Sequence, residues 1–294
     1  PAPAPAPVGR APDAAPDWVR GATCYEIFVR SFADSDGDGV GDLRGLTARL
    51  DHVNDGDPTT QRELGARCIW LMPVAESPSY HGYDVADYRA VERDYGSAAD
   101  FREFMDAAHR RGIRVVVDMV LNHASSEHPW FRSAVGDTAS PYRSWFRFAP
   151  AEGPRNEWGD SNWHRTERGD FYYGFFWHGM PDLNWEEPAV LAEMQRVASF
   201  WLDTMGVDGF RLDAVRHLVE DGARTRNVEG THDVLRAWAA HVRRTKPDAW
   251  TVGEVWEPTD VLLRYYPDQL DAHFAFEVAD SIVSAVRAGR AAGL

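Results

Sequence analysis

The chain is poor in lysine, in cysteine and in long apolar runs. Lys246 is the only lysine, and 31 basic residues face 46 acidic ones, for a formal charge of −15 over 294 residues. A nucleic-acid partner needs a basic face, and none can be read from this sequence, so that class is excluded. No stretch approaches the roughly 18 consecutive apolar residues of a membrane span, which excludes a transmembrane helix. Only two cysteines occur, Cys24 and Cys68. Both fall in expected neighbouring strands, and buried free thiols are the expectation over a disulfide.

What is present suits an enzyme. Hydrophobic residues make up 44% of the chain, enough for a large core in one big domain or two. The start, Pro1-Ala2-Pro3-Ala4-Pro5-Ala6-Pro7, is low in complexity and reads, over 1–17, as a flexible extended segment. It is either a tether behind a removed signal or lipid anchor, which implies a secreted or periplasmic protein, or a tail of no consequence.

From Trp18 onward, strand and helix signals alternate. Strands are expected at 23–29, 68–72, 113–120, 207–213, 250–255 and 272–276. Helices are expected at 43–53, from Ser97 to Gly112, and near 188–205, 234–242 and 281–288, from apolar residues at helical spacing. The strand at 113–120 is β-branched and nearly all apolar, as parallel strands tend to be. The rhythm breaks for roughly sixty residues, 124–185, a length that marks a functional excursion. This is an α/β pattern of about six β/α repeats, with an insertion after the third strand.

Two strands end in carboxylates. Alternation places Arg211 and Asp213 on one side of their strand and Phe210 and Leu212 on the other. A cation beside Asp213 favours its ionised form, as a nucleophile requires. Glu254 has no cation near it in sequence, which suits a proton donor with a raised pKa. Two carboxylates with different tasks point to glycoside hydrolysis.

Four motifs carry a resemblance over about Trp18 to the end: Asp118-Met119-Val120-Leu121-Asn122-His123, Met180-Pro181-Asp182-Leu183-Asn184, Gly209-Phe210-Arg211-Leu212-Asp213-Ala214-Val215-Arg216-His217, and Val252-Gly253-Glu254-Val255-Trp256. Together and in this order they resemble the α-amylase superfamily, glycoside hydrolase family 13. The resemblance implies a (β/α)8 TIM barrel over 18–294 with a small inserted domain at 124–185. It implies Asp213 as nucleophile, Glu254 as general acid/base and Arg211 as the residue holding the nucleophile ionised. It further implies His123 as a hydrogen-bond partner of the sugar, Tyr83 as a stacking surface, Asp118 as a support and His217 as a substrate-binding residue.

The family carries a third carboxylate at the end of strand seven, and this sequence stops at Leu294, after six expected strands. The expectation is a C-terminally incomplete catalytic barrel with two open sheet edges, unstable and at best weakly active alone.

Asp34-Ser35-Asp36-Gly37-Asp38-Gly39-Val40-Gly41-Asp42 alternates carboxylates with glycines, a density of hard oxygen donors suited to Ca²⁺. Asp34, Asp36, Asp38 and Asp42, with the Val40 carbonyl, are the candidate ligands. The loop matches the cation loop of oligo-1,6-glucosidase-like members. A second candidate is Asn122 with Asp182 and the His217 carbonyl; these either bind Ca²⁺ or fasten the inserted domain by hydrogen bonds. The aromatics of the insertion, Trp158, Trp163, Tyr172, Tyr173, Phe175, Phe176 and Trp177, are expected mostly in its own core, two or three of them facing substrate.

Specificity rests on finer likenesses. Ala214, small and next to Asp213, goes with α-1,4 rather than α-1,6 bonds in the glucosidase branch. Tyr80-His81 stands where many exo-acting glucosidases carry an acidic residue. The substrate implied is an α-glucan or maltooligosaccharide. An α-glucosidase or transglycosylase of the same superfamily, or a non-catalytic carbohydrate-binding relative, is the alternative.

Overall fold

The computed structural model describes residues 15–266 and 268–291. Most of the proline-rich start, residues 1–14, lies outside the described residues, and Asp17 already belongs to a short turn, Asp17–Val19. Six strands form one curled parallel sheet, a partial barrel: β1 (Cys24–Ile27), β2 (Cys68–Leu71), β3 (Arg114–Val120), β4 (Gly209–Asp213), β5 (Trp250–Gly253) and β6 (Ala272–His273). Their spatial order is their chain order. Helices connect successive strands and cover the outer face, which is the layering that parallel strands require.

The helix Ala98–Arg110 shows how sequence dictates an element. Ser97 and Asp100 form a reciprocal capping box at its start, and Phe101, Phe104, Met105 and Ala108 are buried along one face. The helix expected at 43–53 is instead two pieces, Leu43–Ala48 and Leu50–Val53, broken at Arg49. In β4 every residue is buried, because helices cover one face and the barrel interior the other. Phe210 packs outward on Trp238, while Arg211 and Asp213 turn inward. Gly209 is required here: a Cβ would come within 1.9 Å of the Trp250 carbonyl on β5.

Two expectations are corrected. Cys24 and Cys68 form a disulfide, because β1 and β2 pair in parallel with these two residues directly opposite. The sixth strand ends at His273, not at 276, and a helix, Phe276–Ala288, begins three residues later. Among the described residues β6 pairs only with Val252 and Gly253 of β5, so nothing on its other side extends its ladder. The following helix has no buried residue, and its Val278, Ile282, Val283 and Val286 are exposed.

The excursion after β3 contains a helix, Pro129–Gly136, and a three-stranded antiparallel sheet of Phe148–Ala149, Phe171–Tyr173 and Trp163–Arg165. Phe131 packs against Phe146, Phe148 and Tyr172 as its small core. Backbone bridges from His123 to Asp182 and from Phe146 to Leu183 tie its two ends together.

Candidate active site

The inward residues at the C-terminal ends of β3, β4 and β5 converge on one guanidinium. Register sets this up: Asp118 of β3 lies opposite Arg211 of β4, and Leu212 lies opposite Gly253 of β5, with Glu254 next. Arg211 Nη1 donates to Asp118 at 2.8 Å and to Asp213 at 2.6 Å, and its Nη2 lies 3.0 Å from Glu254. The expectation of Glu254 without a cation is therefore corrected: the cation distant in sequence is adjacent in space, because β4 and β5 are neighbours.

Burial works against the Arg211 charge, but Asp118 and Asp213 together hold its pKa above the ordinary value. Burial raises Glu254, the Asp213 charge adds to that, and Arg211 opposes it. Asp118, fully enclosed, is pushed up to about 7 by burial despite Arg211. Trp70 and Tyr83 both donate to Asp118 at 3.3 Å, and the guanidinium lies 5.3 Å and 5.8 Å from their ring centres. Ala214, at φ 48°, is held in the left-handed region, and its amide donates to Glu254 at 3.1 Å. Strain of this kind collects at functional sites.

His123 and His217 form the wall toward the insertion. His123 contacts the Asn122 side chain at 3.0 Å and the Tyr83 carbonyl at 3.1 Å, and its ring meets Phe176 edge-on. His217 accepts from Arg216 at 3.0 Å, contacts the Thr225 carbonyl at 2.8 Å and stacks on Phe175. Burial lowers both rings to about 4, so both are neutral. Asn122 donates to the His217 carbonyl at 2.7 Å and to Asp182 at 3.3 Å, while Asp182 accepts from the Phe175 amide. In this arrangement Asn122, Asp182 and the His217 carbonyl satisfy one another.

The acidic loop is built differently. Asp34, Asp36 and Asp42 each offer an oxygen within 4.8 Å of the others. Asp38 is not in that group; its carboxylate accepts from the Val40 amide at 2.7 Å. Asp34 accepts the amides of Gly37 and Gly39, both at positive φ, and these hydrogen bonds lower its pKa. Asp42 caps the following helix at Gly45 and accepts from Ser35. Three hard oxygen donors on a glycine-hinged loop are a set that fits Ca²⁺.

Several site residues escape a reading of the sequence. Trp70 sits in an apolar strand with nothing to distinguish it. Glu26 is a lone charge in β1; partial burial raises its pKa, and the Arg211 charge opposes. Glu220, held by Arg147 at 3.1 Å and raised to about 7 by burial, is a carboxylate beside Asp182 that no motif marked. Of the insertion's aromatics, Tyr172 and Tyr173 are buried, Phe175 and Phe176 line the histidine wall, and Trp158 and Trp177 are exposed.

A curled β/α sheet with acidic groups gathered at its strand C-termini is the layout of a barrel enzyme. The chain belongs to the α-amylase catalytic-domain family of glycoside hydrolases: the model of the alpha amylase catalytic domain matches residues 26–292. It is 39% identical over 269 residues to Alpha-amylase 3 of Dictyoglomus thermophilum, covering 92% of this chain and 50% of that protein. It is 38% identical over 295 residues to a trehalose synthase of Pimelobacter sp., with coverages of 92% and 50%. The crystal structure of an alpha-amylase from H. orenii superimposes with a TM-score of 0.84 at 42% identity, covering 91% of this chain and 54% of that one. The chain thus spans about half the length of the curated relatives it matches.

Proposed function

We propose that the chain carries the cleavage centre of a retaining glycoside hydrolase acting on α-1,4 bonds of starch or maltooligosaccharides. The observation that carries this reading is the Arg211 guanidinium lying between Asp213 and Glu254. The guanidinium donates to Asp213 at 2.6 Å, a contact that fits a nucleophile, and the raised Glu254 fits a proton donor.

Glu254 protonates the glycosidic oxygen as an Asp213 oxygen attacks the anomeric carbon. The bond to the leaving sugar breaks, and a glycosyl ester forms on Asp213. The Glu254 carboxylate then takes a proton from water, whose oxygen displaces Asp213 and restores the original anomeric configuration. Asp118 and Arg211 position these groups, Tyr83 offers its ring to the sugar, and His123 turns from the Tyr83 carbonyl to a sugar hydroxyl. An α-glucosidase, or a transglycosylase that passes the glycosyl group to a sugar instead of water, is the second reading, the latter favoured by the likeness to a trehalose synthase.

Asp34, Asp36 and Asp42 are proposed to hold a Ca²⁺ that stiffens the loop after β1. The excursion 124–185 is proposed as a distinct inserted domain. A secreted or periplasmic location is supported by the Cys24–Cys68 disulfide, since such bonds persist in oxidising compartments. The test is reducing-sugar release from soluble starch and maltoheptaose, with Ca²⁺, by this chain and by a form extended through two further β/α units. Release that Asp213→Asn abolishes is expected; no release by either form would sink the catalytic reading.

A further inference from the structure

An open pocket of about 460 Å³ lies between the inserted segment and the helix Pro188–Ser199, and it shares no residue with the catalytic cluster. Its wall is aromatic. Trp130 and Tyr142 run nearly parallel, with ring centres 6.4 Å apart, and Trp145 stands edge-on to both at 4.8 Å and 5.0 Å. All three rings are only half-buried. Aromatic residues that merely fill a core close over one another; these leave a cavity.

The polar groups around the cavity keep capacity in hand. His128 is buried, and its Nδ1 accepts from the Trp130 amide at 3.1 Å. Burial lowers its pKa to about 4, so the ring is neutral with its proton on Nε2. That N–H, and the indole N–H groups of Trp130 and Trp145, meet no acceptor among the described residues. Opposite them stands Glu193, fixed by Arg89 at 2.6 Å and by Arg196 at 2.8 Å. Unspent donors, a pre-oriented carboxylate and flat apolar rings are the complement of a pyranose, whose faces are C–H and whose rim is hydroxyl. Arg89 and Arg196 also line this space, but both are already engaged by Glu193, and Asp87 adds a further carboxylate.

We propose that this pocket is a second saccharide site, holding a stretch of α-glucan away from the bond being cleaved; the choice of glucan rests on the function proposed above. The pocket stands beside elements that flank β2, β3 and β4 in the middle of the sheet. It is also rigidly joined to the catalytic wall. Tyr88 stacks on Trp130 at 5.7 Å and donates its hydroxyl to the His123 carbonyl at 2.6 Å. An occupant therefore sits directly behind His123.

The test is amide hydrogen exchange of the Asp213→Asn chain with and without maltoheptaose, so that the saccharide is not consumed. Slowed exchange is expected in 86–89 and 128–145 as well as in the catalytic segments 81–83 and 209–217. Trp145→Ala should abolish the first protection, leave the second, and weaken retention on insoluble starch about tenfold, or 1.4 kcal/mol. Should Trp145→Ala fail to fold, Arg196→Ala, at an exposed side chain, is read in the same way. Protection confined to the catalytic segments would overturn the second site and leave the proposed function standing. Protection at the flank alone would support the site and count against the function. Protection nowhere would overturn both.

Discussion

The amide of Ala214 donates to Glu254 at 3.1 Å, so the residue that follows Asp213 holds Glu254. That hydrogen bond and Arg211 favour the charged form of Glu254, while burial and the Asp213 charge outweigh them. The net elevation keeps Glu254 protonated to a higher pH than a free glutamate. Activity that needs this proton should fall on the alkaline side, as pH rises through the Glu254 pKa. Glu254→Gln should lower kcat by about 10²–10⁴-fold and remove that limb from the pH–rate profile. An unchanged alkaline limb in the variant would assign the limb to another group.

Arg211→Ala leaves Asp118, Asp213 and Glu254 gathered without their shared cation. Breaking a buried network in this way costs about 3–5 kcal/mol. The loss should be greatest where the carboxylates are ionised and shrink as acid neutralises them. Urea unfolding of both forms near neutrality and in mild acid measures the difference.

At the opposite end of the barrel, Asp208 is buried among His109 at 2.7 Å, Arg114 at 2.9 Å and Lys246 at 3.1 Å. Burial alone would raise its pKa, but these partners and the Val115 amide hold it well below the usual range. A depressed carboxylate contributes stability that is present above the unfolded value of about 4 and lost as pH falls toward the folded one. Asp208→Asn should destabilise the chain by about 3 kcal/mol at neutral pH. The gap from the parent should narrow below about pH 4, where the unfolded parent takes up a proton that the folded carboxylate does not. A gap constant with pH would show that packing, not charge, is at stake.

The Cys24–Cys68 bond closes a loop with a sequence separation of 44. Constraining the unfolded chain over such a loop contributes about 2–4 kcal/mol. Reduction, or paired Cys→Ser substitution, should lower Tm accordingly in calorimetry. Equal Tm in both forms would mean that the constraint is offset in the folded state.

Calcium should raise Tm if Asp34, Asp36 and Asp42 form its site, and Asp36→Ala should remove most of that rise. Asp38→Ala should leave it nearly intact, because Asp38 is not among the converging oxygens. Differential scanning with added Ca²⁺ and with chelator separates the two.

What the sequence made legible was what short-range periodicity encodes. The alternation in β4 placed Arg211 beside Asp213, and the Ser97 cap located the start of its helix. What it hid depended on neighbours in space. Nothing near Glu254 in sequence announces Arg211, which reaches it only because β4 and β5 pair. The disulfide likewise needed the register of β1 on β2, not merely their adjacency. Trp70 and Glu220 became site residues through packing, which leaves no local signature. The sixth strand was overextended because ladder length depends on partners, not on residue preference.

The sheet's strand order has a consequence for biosynthesis. Because spatial order follows chain order, a polypeptide leaving the ribosome can lay each strand against one already in place. The groups around Arg211 arrive on a staggered schedule. Asp118 emerges 93 residues ahead of the guanidinium that balances it, and Glu254 is the last of the group to be translated. Until Arg211 emerges, Asp118 stands without the counterion it is paired with in the finished sheet.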